Sequence, residues 1–252
     1  MTGKQGRGEK GFSPPSDGIR INRFLADCGF GSRRKVEELV QSGKVSLNGK
    51  TVLDLSTRIR PETDEVFVGG KKAIHRTGSV FLALNKPPGY LCSHGDRFHN
   101  HTVFELLPAK FGHLAIAGRL DLDSRGLLLL SDDGEFVQRI SHPSRSMEKE
   151  YEVIVSEPVS VSETIRTFQE GIHDEGEILK AESVVPAAKG SEVFQFRIVL
   201  KQGRKRQIRR MFAALGTRVQ DLKRVRIGNL RLKDLGLQEG QYAELDPDHW
   251  RP

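Results

Sequence analysis

Apolar residues recur at Ile21, Phe24, Leu25 and Cys28, the i, i+3, i+4, i+7 spacing of one helix face, and Gly29 to Gly31 mark the end of that helix. Ser32 is placed to cap a second helix, with Val36, Leu39 and Val40 on one face and Gly43 at a left-handed end. Residues 45–47 and 50–52 flank Asn48-Gly49, a strong hairpin signal. Gly69-Gly70-Lys71-Lys72 and Arg76-Thr77-Gly78 then read as a flexible basic linker over residues 68–78. Beyond it the pattern predicts a strand at 80–84, a short helix opened by a Thr102/Glu105 capping box, a half-buried strand at 113–117 and a buried leucine strand at 127–130. Asp133-Gly134 leads into a helix carrying Phe136, Val137 and Ile140. Residues 149–155 alternate as a strand with Tyr151 in register with Val153 and Val155. Ile165, Phe168 and Ile172 predict a helix that Gly171 weakens. Phe194, Phe196, Ile198 and Leu200 alternate again, and Ile208, Met211, Phe212 and Leu215 form an inward helix face ended by Gly216.

With 252 residues and 37% hydrophobic content, the chain can hold one large domain or two smaller ones. No apolar run approaches the roughly 18 residues of a membrane span, and no signal core opens the chain, so a soluble, cytoplasmic protein without membrane association is expected. Cys28 and Cys92 are far apart, and neither they nor the histidines show ligand spacing, so neither a disulfide framework nor a metal site is indicated. Residues 1–18 read as a disordered basic tail. The net charge of +7 is unevenly spread. Residues 1–77 carry fifteen Lys and Arg against nine Asp and Glu, and residues 201–233 carry twelve against one. Two basic clusters on an otherwise acidic chain imply two contacts with a polyanion.

Between the strands at 113–117 and 127–130 lies Gly118-Arg119-Leu120-Asp121-Leu122-Asp123-Ser124-Arg125-Gly126. Asp121, between two leucines, is a carboxylate at the rim of a core, the setting of a nucleophile or general base. The plain alternative is a polar turn built by Asp121 and Asp123. The stretch GRLDLDSRGLLLL resembles the catalytic motif of pseudouridine synthases of the RsuA/RluB/RluF type. SRRKVEELVQSGKVSLNGK resembles the small RNA-binding domain named after ribosomal protein S-four. LNKPPGYLCS, KEYEV and RQIRRMFAALG resemble the first, tyrosine and third motifs of the same synthases, so that the likeness covers most of residues 19–245. One departure is Lys205, where related sequences usually have Asn.

The resemblance implies an α+β chain. A small α/β RNA-binding domain over residues 19–67, two helices plus a hairpin, would be linked to a synthase domain over 79–252 with a mixed, largely antiparallel sheet. It further implies isomerisation of a specific uridine of ribosomal RNA, with the large subunit favoured, and no cofactor or metal. Asp121 would form a covalent adduct or stabilise charge at C1′ of a flipped-out uridine, Tyr151 would stack on the uracil, Arg209 would pair with Asp121, and Arg119 would fill the vacated stack. Ser32, Arg33, Arg34, Lys44, Arg206 and Arg210 would face RNA, and LNKPPGYLCS would be architectural. Partners would be ribosomal RNA and ribosomal subunit assembly intermediates, with a monomer as the default state. From the residues alone, Tyr151 reads as a core aromatic; a charge run such as 204–210 is usually a solvated face, but its excess of arginine over lysine and the place of Arg209 beside the inward-facing Ile208 argue for phosphate or carboxylate pairing. Two rival classes are a non-catalytic ribosome-assembly protein and a metal-dependent nuclease built on Asp121, Asp123, Asp132 and Asp133.

Overall fold

The computed structural model describes residues 18–31, 33–74, 78–95 and 101–246, with Arg33 described by its backbone alone. The basic tail, the Ser32 cap, the Arg33 side chain and part of the histidine-rich stretch lie outside the described residues. The chain divides into two compact units, Met1–Gly78 and Ser79–Pro252.

The first unit runs β1 (Ile19–Arg20), α1 (Ile21–Asp27), α2 (Arg33–Gln41), β2 (Val45–Leu47), β3 (Lys50–Thr51), β4 (Arg58–Ile59), β5 (Val66–Val68) and β6 (Lys71–Lys72). The apolar stripes of the two helices meet in one small core, where Ile21, Phe24 and Leu25 pack with Val36, Val40, Val45, Ile59 and Val66. Asn48 and Gly49 take the positive φ values that a tight hairpin turn requires. Part of the expected linker is folded. Gly69 and Gly70 also have positive φ and turn the chain so that β6 pairs with β5, Phe67 opposite Lys72, while Ala73 donates to the Val66 carbonyl. A glycine pair followed by lysines reads as flexible, yet it equally suits a two-residue turn with a charged edge strand.

The second unit continues with β7 (Phe81–Lys86), β8 (Ala115–Ala117), β9 (Arg125–Ser131), α3 (Gly134–Ser141), β10 (Lys149–Ser160), α4 (Val161–Glu170), β11 (Ile172–Asp174), β12 (Glu177–Leu179), β13 (Ser183–Pro186), β14 (Glu192–Leu200), α5 (Gln207–Ala214), β15 (Val219–Ile227), β16 (Leu230–Arg231) and β17 (Tyr242–Glu244). Its main sheet has the order β13-β14-β10-β15-β9-β7-β17, with β8 and β16 pairing onto β9 and β15. Among the described residues of this sheet only the β15–β9 pairing is parallel, so the expected mixed, largely antiparallel sheet is found. Alternation assigns the two faces. Leu82, Leu84, Leu128, Leu130, Val153 and Ile198 join the large core under α5, whereas Ala83, Leu127 and Leu129 join a second core with Phe136 and Ile140 of α3.

Two expectations change locally. Thr102 and Glu105 do form a reciprocal capping box, but on a 3-10 turn, Val103–Leu106. Ile172 is not helical: α4 stops at Gly171, whose φ of 104° suits glycine and whose added Cβ would sit 2.8 Å from Ile178. Ile172 still packs on the large core, from a strand.

Candidate active site

The loop from Gly118 to Ser124 joins β8 to β9, with an Asp121 carbonyl to Ser124 N–H bond closing a turn. Its backbone is held by buried cations rather than by its own side chains. Lys86, 0% exposed, donates from Nζ to the carbonyls of Ser124 at 2.6 Å, Pro87 at 3.0 Å and Leu122 at 3.3 Å. Arg224, 1% exposed, donates to the carbonyls of Gly118 and Leu127, each at 2.7 Å, and more weakly to that of Arg119 at 3.5 Å. Gly89 N–H also reaches Leu122 O, and Leu120 N–H reaches the Cys92 sulfur. Burial is the main cause that holds the Lys86 ammonium below the ordinary lysine range, opposed by Cys92, Asp123 and Asp121.

Strand register explains how these groups come together. Lys86 lies opposite Gly126, Gly126 beside Arg224, Arg224 opposite Tyr151 and Tyr151 opposite Ile198, a single row across five strands. Gly126 is the gap in that row. Its φ is 102°, and a Cβ there would fall 2.3 Å from the Arg224 carbonyl oxygen, so no larger residue lets β9 approach β15. Tyr151 is 8% exposed and belongs to the large core.

Above this floor the Asp121 side chain remains 36% exposed, with Arg206 Nη1 3.9 Å from its Oδ2. Asp123 takes the closer pairings, with Arg206 at 3.3 Å and Arg209 at 3.2 Å. The expected Arg209–Asp121 ion pair is therefore replaced by Arg209–Asp123. The reason is that Arg209, its side chain 12% exposed, is also committed to the carbonyls of Val219 at 2.9 Å and Asp123 at 3.2 Å, which fixes its guanidinium beneath the second aspartate. Burial depresses the Arg209 pKa, and Asp123 is the largest opposing influence. Its Nε is buried without a hydrogen-bond partner. Arg206 adopts the left-handed conformation, φ 50° and ψ 32°, just before α5, and this turns it towards both aspartates.

The other expected contacts separate. Arg119 is exposed at the head of the loop, and Arg34 and Lys44 are exposed on the first unit. Arg210, expected to face RNA, is instead tied to the β11–β12 hairpin through Asp174, Glu177 and the Asp174 carbonyl. The four aspartates proposed for a nuclease do not converge as a set: Asp132 accepts from Val80 N–H and faces His113, while Asp133 caps α3 through Glu135 and Phe136 N–H. Among the described residues no cluster of three His, Cys, Asp or Glu is placed to hold a metal ion.

Sequence reasoning missed Arg224 and Lys149. Lys149 is 8% exposed, donates to Met147 O at 3.3 Å, and is lowered to about 8 by burial and then by the Arg224 charge. Because this lies below its ordinary 10.5, the unfolded chain binds more protons between those values, and the lysine's contribution to stability rises with pH across that window. At pH 7 the buried charge is a net cost. Lys149→Met is thus expected to stabilise the fold by on the order of 2 kcal/mol at pH 7 and to flatten the rise above pH 8. Urea unfolding at pH 7 and 9.5 measures both, and an unchanged stability difference between the two pH values would refute the assignment.

Residues 80–214 match the family described as RNA pseudouridylate synthase, and residues 19–72 match the S4 domain. The chain is 38% identical over 232 residues to ribosomal large subunit pseudouridine synthase B of Vibrio cholerae serotype O1, a match that covers 90% of this chain and 71% of that one. It is 35% identical over 231 residues to ribosomal small subunit pseudouridine synthase A of Vibrio vulnificus, covering 90% and 96%. A crystal structure of pseudouridylate synthase superposes with a TM-score of 0.65 at 31% identity, covering 92% of this chain and 97% of that one. With its sheet, both domain matches and the relatives in agreement, the chain belongs to the RNA pseudouridylate synthase family and is a pseudouridine synthase carrying an S4 domain.

Proposed function

We propose that the protein isomerises one uridine of ribosomal RNA, in the large subunit, and that Asp121 is its catalytic carboxylate. The observation that carries this reading is the placement of Asp121: a part-exposed carboxylate on a loop whose carbonyls are fixed by Lys86 and Arg224, with Arg206 at its edge. The N1–C1′ bond must break, the uracil must turn while bound, and C5 must join C1′; the C5 proton leaves and N1 takes one up, so the reaction is balanced as an isomerisation. Asp121 acts at C1′, by covalent attack or by stabilising its positive charge. Tyr151 offers a ring to the uracil, and Arg119, exposed two residues earlier, fills the stack that the flipped uridine leaves. Asp123 holds Arg206 and Arg209 in place beside it. The relative named for the large subunit, at 38% identity, supports the choice of subunit.

The test is chemical mapping of pseudouridine in ribosomal RNA from cells lacking the protein. One large-subunit site is expected to disappear and to return with wild-type protein but not with Asp121→Asn. Retention of every site would overturn the substrate assignment.

In the first unit, Arg34 and Lys44 are exposed and have no carboxylate partner among the described residues. As phosphate contacts they add affinity without reading sequence. Arg34→Ala combined with Lys44→Ala is expected to lower the salt slope of RNA binding by about 2, uniformly across sequences. Filter binding between low and moderate salt measures this, and an unchanged slope would assign both residues to plain surface.

A further inference from the structure

On the sheet face opposite Tyr151 and Arg224, a cavity of about 290 Å³ opens beside β10 and β15 and the turn after β16. Glu150, Glu152 and Lys223 line it because they alternate with Tyr151 and Arg224 along their strands. None of its residues belongs to the site described above.

Asn85, 4% exposed, borders this cavity. Its Nδ2 donates to the Leu237 carbonyl at 2.9 Å, while its Oδ1 is buried and accepts no hydrogen bond. Turning the amide over would set Oδ1 against the Leu237 carbonyl, so the orientation is fixed and the acceptor stays unmatched. Buried acceptors without a donor are rare and costly, and one at the wall of a cavity points to a donor that arrives from outside.

The charges around it are also unequal. Arg197 is engaged by Glu150 and Glu152, and Arg226 by Glu148 and Glu150. Lys223, Arg231 and Lys233 line the cavity and have no carboxylate partner among the described residues. Leu232 and Leu237 add apolar wall. The volume far exceeds the roughly 30 Å³ of one water and approaches the lower end of small-molecule sites, about 300 Å³.

We propose that this cavity binds a ribonucleotide, its phosphate held by Lys223, Arg231 and Lys233 and an amino, imino or hydroxyl group donating to Asn85 Oδ1. The nucleotide is either a residue of the RNA distant from the reacting uridine or a free nucleotide. This inference stands apart from the role given to Asp121.

The test follows the methyl NMR signals of Leu232 and Leu237 in the full chain during titration with uridine monophosphate, adenosine monophosphate, inorganic phosphate and a short single-stranded RNA. A nucleotide or the RNA is expected to shift both methyls. Arg231→Ser combined with Lys233→Ser should weaken that binding by about tenfold or more. Asn85→Leu should weaken nucleotide binding while leaving phosphate binding in place. Shifts with free nucleotide identify a free ligand, and shifts with RNA alone identify a strand residue. Silence of both methyls towards every titrant overturns the proposal, as does full nucleotide affinity in the exposed Arg231/Lys233 double variant, which decides the matter even if Asn85→Leu fails to fold.

Discussion

Replacing Asp121 by Asn is expected to remove pseudouridine formation by roughly 10³-fold or more while RNA affinity stays near wild type. Asn keeps the size and one carbonyl oxygen but carries no charge, so it can neither form an adduct at C1′ nor stabilise positive charge there. The fold should not notice the change. The Asp121 side chain is 36% exposed, and its ion-pair contact is with Arg206 at 3.9 Å, a distance and exposure at which such pairs contribute little. The turn beneath it is closed by its backbone carbonyl, which Asn retains. Asp123→Asn gives the informative contrast. Asp123 pairs with both Arg206 and Arg209, so its loss should loosen two cations at the rim and slow the reaction by about tenfold. Single-turnover assays on ribosomal RNA lacking the modification, beside filter binding of the same RNA, separate the two effects. Substantial product from Asp121→Asn, or equal losses from the two substitutions, would remove Asp121 from the chemistry.

What could be read from the chain alone follows from the range of the interactions concerned. The stripes of α1, α2 and α5 were legible because helical periodicity is local, and Ile208, Met211 and Phe212 are buried as their spacing requires. Asp121 stood out as a candidate because an unbroken sequence motif carries it. Arg224 did not, since it sits in the run Lys223-Arg224-Val225-Arg226, part of the basic 201–233 cluster that reads as a surface for a polyanion. Only the register places it inward, opposite Tyr151, and a bulge between Glu150 and Tyr151 then sends Arg226 to the other face to meet Glu150. Arg209 and Arg210 are neighbours on one short helix, yet one ends beneath Asp123 and the other on a hairpin at residues 172–179. Their carboxylate partners come from elements more than thirty residues away, and no local pattern encodes that choice. Gly126 is a further case: nothing local in the sequence shows that its role is to admit the Arg224 backbone of another strand.

Lys86→Met is expected to lower the turnover rate by about 100-fold, more than its effect on folding would suggest. Met has similar length and fills the same apolar space, but it withdraws the donor from three carbonyls. Leu122 O keeps a partner in Gly89 N–H, so the loss falls mainly on Ser124 O and Pro87 O. Leaving the buried Ser124 carbonyl and the part-buried Pro87 carbonyl unmatched costs on the order of 2–4 kcal/mol, and removing a desolvated ammonium returns part of that, so net destabilisation should be about 1–3 kcal/mol. The pH dependence has a definite sign. Burial holds the Lys86 pKa below its ordinary value, so its contribution to wild-type stability rises with pH between the folded and unfolded values, and this rise is absent from Lys86→Met. Catalysis is hit harder because Ser124 O and Leu122 O belong to the loop that aims Asp121, and a shift of about 1 Å in a reacting group is enough for a 100-fold loss. The decisive measurement is turnover well below the unfolding temperature, where all molecules are folded, together with RNA affinity. If Lys86 acts only on stability, folded Lys86→Met protein will turn over at the wild-type rate; if it positions Asp121, turnover will fall while RNA binding persists.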